Sequence, residues 1–453
     1  MTPVLVLTAC IAMALIVFRA ATQAISIDEA STYLLFVGAE EPLHWIGSGN
    51  NHVLNTALMR LTTRLFGVSD FFARLPALLG GALYISACYR FCRRLEGGAV
   101  LRWSALVCLI YSPFIMDYLV AARGYGLALG FLMTALVADC ATVSGCVLAS
   151  TALGLCFASN FSFAFVCAAV GASLLVRAWR ERRVPSSRLI AAFVLPPILT
   201  TWVIAVPTIV NFPRAELYYG SHSLLETGGS LLVSQLAHHT AWLYLVPALI
   251  TLVWWARIWN RIPAAALLLA AAILGTLALH FVAFHAFGLL YPMDRTGVFL
   301  VPLTFCAIAA AAVVPGGWLR TAQVGALVFA AILSVALMRL DRFEEWDFNA
   351  DTGRIYSTLQ CLRSRHGVSR FAAGWPFFGA MNFYRYVGGD PLAEVADEAK
   401  ADAATEVFVL DSDWNPTVVN ARSLTVVWRS RESHAILAAS AGAAARLEGS
   451  ACF

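Results

Sequence analysis

The chain has 453 residues, 60% of them hydrophobic and only 13% charged, with a formal net charge of +4. A soluble protein carries roughly 25% charged residues, so this composition excludes an ordinary soluble domain. The arginines fall in loops between apolar stretches and form no single patch, which leaves nothing for a nucleic acid to bind.

In chain order, apolar windows near 3–20, 71–91, 100–116, 122–140, 143–158, 161–176, 189–207, 239–256, 263–287, 297–314 and 321–339 predict about eleven spans. Each is close to the roughly 20 residues that cross a bilayer. The first window has no basic leader and no small-residue cleavage site before Ser26. It reads as a retained span, with a removed signal peptide as the alternative. Residues 51–66 carry apolar positions at helical spacing, interrupted by Arg60 and Arg64, which suits a helix lying in the interface.

Arginine sets the orientation. Arg90, Arg93, Arg94 and Arg102 share one loop, Arg177, Arg180, Arg182, Arg183 and Arg188 another, and Arg257, Arg261 and Arg320 mark two more. With an odd number of spans, all these loops face the cytoplasm under the positive-inside rule. The N-terminus is then cytoplasmic and the C-terminus outside. Arginine-rich, lysine-poor usage suits a bacterial inner (cytoplasmic) membrane.

Beyond Arg339 the polarity becomes ordinary. A transmembrane domain over 1–340 is expected to precede an extracytoplasmic α/β domain over 341–453. That domain should have a helix over 352–366 ending at Gly367 and strands near 406–410 and 424–428. The expected fold is thus all-α and polytopic with a small C-terminal α/β domain. Of eleven cysteines, only Cys361 and Cys452 lie in this exported part, where they suggest a disulfide. The other nine behave as small hydrophobes in apolar segments.

Four polar clusters interrupt the apolar chain at outer-side exits: Asp28-Glu29, Asn50-Asn51-His52, Asp117 with Arg123, and Asp294-Arg295. Ionisable groups at bilayer level are costly and persist for function, so these clusters are expected to converge on one cavity. The order of Asp28-Glu29, Asn51-His52, Leu65-Phe66-Gly67, Arg74-Leu75-Pro76, Ser112-Pro113 and Ala122-Arg123-Gly124-Tyr125 resembles the GT-C integral-membrane glycosyltransferases, in the group of protein O-mannosyltransferases and the lipid A aminoarabinose transferase. Val53-Leu54 replaces the family's paired prolines, and Ala121 stands where an acidic residue is usual. The likeness covers roughly residues 25–135. It implies a GT-C-like fold and a polyprenyl-phosphate-linked sugar as donor, with transfer outside the cytoplasmic membrane to a glycan, lipid or protein acceptor.

Such a transfer needs a base for the acceptor hydroxyl, cations for the departing phosphate and a groove among membrane lipids. Asp28 is the candidate base, with Glu29 as second choice or as its orienting partner. Capping of the following helix is the structural alternative for the pair. Arg123 and Arg295 have the forked donors that fit phosphate oxygens, against snorkelling beside Asp117 and Asp294. His52 and Asn51, with Asp117, Tyr125 and Asp294, are the candidate substrate-binding residues. A divalent metal held by His52, Asp28 and Glu29 stays open, beside a purely structural polar turn. Glu216, Tyr218, Tyr219, His222, His238 and His239 form an outer aromatic and polar group that suits an acceptor or an ordinary membrane interface. His280 and His285 are expected to hydrogen-bond between helices. No glycine-rich phosphate loop with a lysine exists, since Lys400 is the sole lysine, so nothing supports ATP or nucleotide-sugar use.

Two other function classes remain. A transporter or flippase of lipid-linked sugars would need similar outer cations, but no repeat halves are evident. A non-catalytic cell-envelope scaffold leaves Asp28-Glu29 and Arg295 without a role.

Overall fold

The computed structural model describes residues 2–38, 47–181, 185–210, 213, 219–236, 250, 253, 256–257, 259–389 and 394–453. They gather into two compact units. The first comprises Met1–Phe18, Trp45–Leu58 and Leu75–Met338, and the second Arg19–His44, Met59–Arg74 and Arg339–Phe453.

Long apolar helices account for the first unit. α1 (Thr2–Thr22), α3 (Val53–Phe66) and α4 (Asp70–Arg94) each contribute to both units, and the short α2 (Ile27–Thr32) belongs to the second. α5 (Ala99–Ile110) and α6 (Pro113–Val120) form an apolar pair bent by 54°, either a broken span or a re-entrant loop. The break has a local cause. Pro113 cannot donate to the preceding turn and pushes Ser112 out of helical geometry, to φ −56° and ψ 126°. Asp117, expected in a loop after the third window, therefore lies on the second half-helix.

α7 (Tyr125–Val137), α8 (Val143–Ser159), α9 (Ala164–Glu181) and α10 (Ser186–Thr200) follow. α8 packs between α7 and α10. Further on come α11 (Leu224–Leu236), α12 (Ala264–Phe287), α13 (Leu300–Ala311) and α14 (Gly317–Leu337). α12 packs on α9, and α14 on α5. Among the described residues, six helices are long and apolar enough to cross a membrane, or seven if the bent pair is one span. Every predicted window thus finds a helix except 239–256, most of which lies outside the described residues. The chain is a polytopic membrane protein.

Several arginines counted for orientation also close helix ends. Arg94 donates to the Val137 carbonyl, Arg102 to Leu95 and Arg320 to Ala312. Each supplies a donor to a carbonyl that the helix geometry leaves without one. In the apolar interior, Tyr84 donates to the Leu109 carbonyl and Tyr111 to that of Thr8. His280 departs from expectation. Its neighbours are the rings of Phe165 and Phe299, at 4.6 Å and 6.3 Å, and its Nε2 has no hydrogen-bond partner among the described residues. His285 likewise lies against the Phe281 ring, at 4.3 Å.

In the second unit a five-stranded sheet runs in the order β2-β1-β3-β5-β4. The strands are β1 (Phe371–Ala373), β2 (Ala396–Asp397), β3 (Val407–Asp411), β4 (Thr425–Arg429) and β5 (Ala435–Ala439). β1 pairs in parallel with β2 and β3, and β5 pairs antiparallel with β3 and β4. β3 is buried along its whole length, because the sheet has a core on each face. Ile355, Leu359, Phe377, Val407, Val409 and Leu437 fill one face; Phe408, Leu410, Ile436 and Val418 fill the other. The helix Thr352–His366 ends at Gly367 in the left-handed conformation, as the sequence predicts. A disulfide joins Cys361 to Cys452, the expected pair.

Candidate functional site

In the second unit, the Asp28-Glu29 turn opens α2. Ser26 caps the helix through the Glu29 N–H, while the Glu29 carboxylate accepts from the Ser26 N–H, a reciprocal capping box. Glu29 is 1% exposed and Arg74 0%, and the two form a forked pair, Nε to Oε1 and Nη2 to Oε2, both at 2.8 Å. Arg74 spends its remaining donors on the carbonyls of Ala20, Gln23 and Ala24 around the end of α1. All five guanidinium hydrogens are thereby used. Glu29 is thus a structural counter-ion as well as a cap. The signal for this pairing was in the Arg74-Leu75-Pro76 motif, but no spacing rule links positions 45 residues apart.

Asp28 is half-buried, and its carboxylate accepts from the Trp346 indole N–H at 3.3 Å. The turn is held from the C-terminal segment. Asn349 accepts from the Ile27 N–H at 2.9 Å and donates to the Pro376 carbonyl at 2.8 Å. Tyr384 accepts from the Ile25 N–H and donates to Asp70 at 2.8 Å, and burial, then the Asp70 charge, raises its phenol pKa well above the ordinary value. The segment expected as a separate domain from 341 therefore belongs to one compact unit with the Asp28 turn.

The first unit brings together most of the other candidates. His52 precedes α3, is 5% exposed, and lies 5.4 Å from the Tyr125 ring, which is 4.7 Å from Tyr118. Burial, then the positive charges of Arg123 and Arg295, hold the imidazole well below its usual pKa, so it is neutral. Its Nε2 is buried with no hydrogen-bond partner among the described residues. Arg123 donates to the Asn50 side-chain oxygen at 3.0 Å and to the Asn50 carbonyl at 3.4 Å. Asn51 accepts from Thr56 at 2.9 Å. Gly124 adopts φ +77°, and a Cβ there would meet the Ser159 carbonyl at 2.3 Å and the His52 Cβ at 2.9 Å. Only glycine permits this close approach between α7 and the His52 turn.

Arg295 lies 4.8 Å above the Tyr219 ring, and Tyr219 donates to Asp294 at 3.2 Å. Asp294 itself has φ +44°, and its N–H donates to Ser230. Paired N–H···O bonds between Ser221 and Tyr291 hold this loop to the 219–223 segment. Asp117 is 2% exposed on α6. His222 faces the Phe284 ring at 6.5 Å. Glu216, Tyr218, His238 and His239 lie outside the described residues. For a divalent metal, no group of three or more His, Cys, Asp or Glu side chains gathers among the described residues. The set His52, Asp28 and Glu29 is not such a group, and Glu29 is already committed to Arg74.

Arg123 and Arg295 thus both act on a buried, uncharged imidazole in this helical bundle. The comparisons agree at the level of fold. The chain resembles the crystal structure of ArnT from Cupriavidus metallidurans in the apo state, at 13% identity with a TM-score of 0.56. The match covers 98% of this chain and 99% of that one. ArnT from the same organism bound to undecaprenyl phosphate matches at 14% identity over 97% and 98%, with a TM-score of 0.45. No protein-family model matches the chain. No curated protein matches it either. The GT-C-like fold expected from the motifs is therefore the fold observed.

Proposed function

We propose that the chain is a glycosyltransferase of the bacterial inner membrane. It moves a sugar from a polyprenyl-phosphate donor to an extracytoplasmic hydroxyl with inversion at the anomeric carbon. The hydroxyl oxygen attacks that carbon, the bond from carbon to phosphate oxygen breaks, and polyprenyl phosphate leaves with the electron pair. Asp28 takes the hydroxyl proton. Glu29 positions Asp28 by fixing the turn through Arg74. Arg123 and Arg295 neutralise the departing phosphate. The neutral His52 offers a hydrogen bond within that anion site, and Asn51, Asp117, Tyr125 and Asp294 shape it.

The observation that supports this best is the meeting of Arg123, Arg295 and a buried, uncharged His52 in a bundle with the fold of ArnT. Purified protein should release sugar from a synthetic polyprenyl-phosphate donor in detergent. Accumulation of uncleaved donor in sealed vesicles, without bond cleavage, would instead make it a transporter.

A further inference from the structure

We propose that the carboxyl ends of the parallel strands β1, β2 and β3 form a saccharide platform, on which a ring of the acceptor glycan stacks against Trp375 and Trp414. Open α/β sheets place their ligands just beyond the carboxyl ends of parallel strands. Here Gly374-Trp375 follow β1, Glu398 follows β2, and Asp413-Trp414-Asn415 come shortly after β3.

Trp375 and Trp414 are 55% and 53% exposed, and their rings stack at 5.3 Å and 30°. Phe348 lies 5.0 Å from Trp414 and 6.3 Å from Trp375. Isolated exposed aromatics are ordinary, but two exposed tryptophans stacked together and backed by the half-buried Phe348 at one end of the sheet make a patch that calls for a partner. The patch is rigidly mounted. Asp411 accepts from the N–H groups of Asp413 and Trp414, at 2.8 Å and 3.1 Å. Asn415 accepts from the Asp411 N–H at 3.1 Å and donates to Glu398 at 3.2 Å. At Gly374 a Cβ would stand 2.7 Å from the Asn415 side-chain oxygen, so glycine lets the end of β1 lie against this turn.

An aromatic surface with a few fixed polar groups beside it suits a pyranose, whose C–H face is apolar and whose rim is hydroxyl. The Glu398 Oε2 atom is buried with no hydrogen-bond partner among the described residues. Exposed tryptophan also marks membrane interfaces. Beside these rings, Asn415 donates to Glu398 and Asp413 pairs with His434 at 3.2 Å, fixed hydrogen-bonding groups of the kind that orient a sugar. The platform adjoins the Asp28 turn, because Asn349 bonds both the Ile27 N–H and the Pro376 carbonyl. Assigning the bound ring to the acceptor rests on the transferase reading; saccharide binding does not.

Saturation-transfer NMR on the full chain in lauryldimethylamine oxide, a sugar-free detergent, tests this with chitobiose and mannobiose as probes. Saturation should reach the ring protons of at least one disaccharide. It should fall about tenfold in the Trp375→Ala, Trp414→Ala double variant at an unchanged thermal midpoint, and persist in Asp28→Asn. No transfer from the wild type to either sugar, or transfer untouched by the double substitution, overturns the platform. So does quenching by brominated lipid in nanodiscs that disappears in the double variant, which would make the tryptophans a bilayer anchor. Sugar binding without donor cleavage would sink the transferase reading and leave the platform standing.

Discussion

The two buried charge clusters of this protein treat their polar atoms in opposite ways. Around Arg74 and Glu29, all five guanidinium hydrogens and both carboxylate oxygens are bonded within the protein. Around His52, burial first and then the charges of Arg123 and Arg295 keep the imidazole uncharged, and its Nε2 has no hydrogen-bond partner among the described residues. A saturated cluster fixes a turn. On the proposed function, the second cluster receives the donor phosphate.

The largest expected effect breaks the saturated cluster. Arg74→Met strands a buried carboxylate and should cost about 3–5 kcal/mol, read as a collapse of the thermal midpoint in detergent. Adding Glu29→Gln should recover most of that loss, because removing both charges is far milder than removing one. Equal damage from the single and double variants would mean that the pair is not the unit that matters. Next comes the open cluster. Arg295→Ala should weaken binding of polyprenyl phosphate by about tenfold to a hundredfold, as expected for losing a charged hydrogen bond. The thermal midpoint should barely move, and a large drop would place Arg295 with the saturated kind.

The smallest effect is a pH dependence. The folded pKa of His52 lies below its unfolded value, so the unfolded chain binds the extra proton first. The contribution of His52 to stability is then complete above about pH 6.5 and lost as pH falls below it. Thermal midpoints measured between pH 7.5 and pH 5 (range chosen for the test, about one unit or more on each side of the unfolded value) should show a decline that His52→Gln reduces. An unchanged decline in the variant would show that His52 is not the group responsible.

Much of the fold was legible because hydropathy is a local signal. Every window but 239–256 finds its helix among the described residues, and β3, β4, the helix ending at Gly367 and the Cys361–Cys452 bond lie where expected. The strands β1, β2 and β5 were missed. The first two are three and two residues long, too short for an alternating pattern, and Ala435–Ala439 is alanine-rich and buried throughout. For the candidate site, the partners of the residues singled out were not readable. Glu29 to Arg74, Asn349 to Ile27 and Arg295 to Tyr219 each join positions 45 or more apart, where only the folded chain sets the contact.

The most direct measurement is the rate of sugar transfer from a synthetic polyprenyl-phosphate donor by purified wild-type and Asp28→Asn proteins. With Asp28 as the base, the variant should bind donor normally, keep its thermal midpoint and lose about 10²–10⁴-fold in turnover. Turnover at the wild-type rate would contradict the assignment and the chemistry built on it.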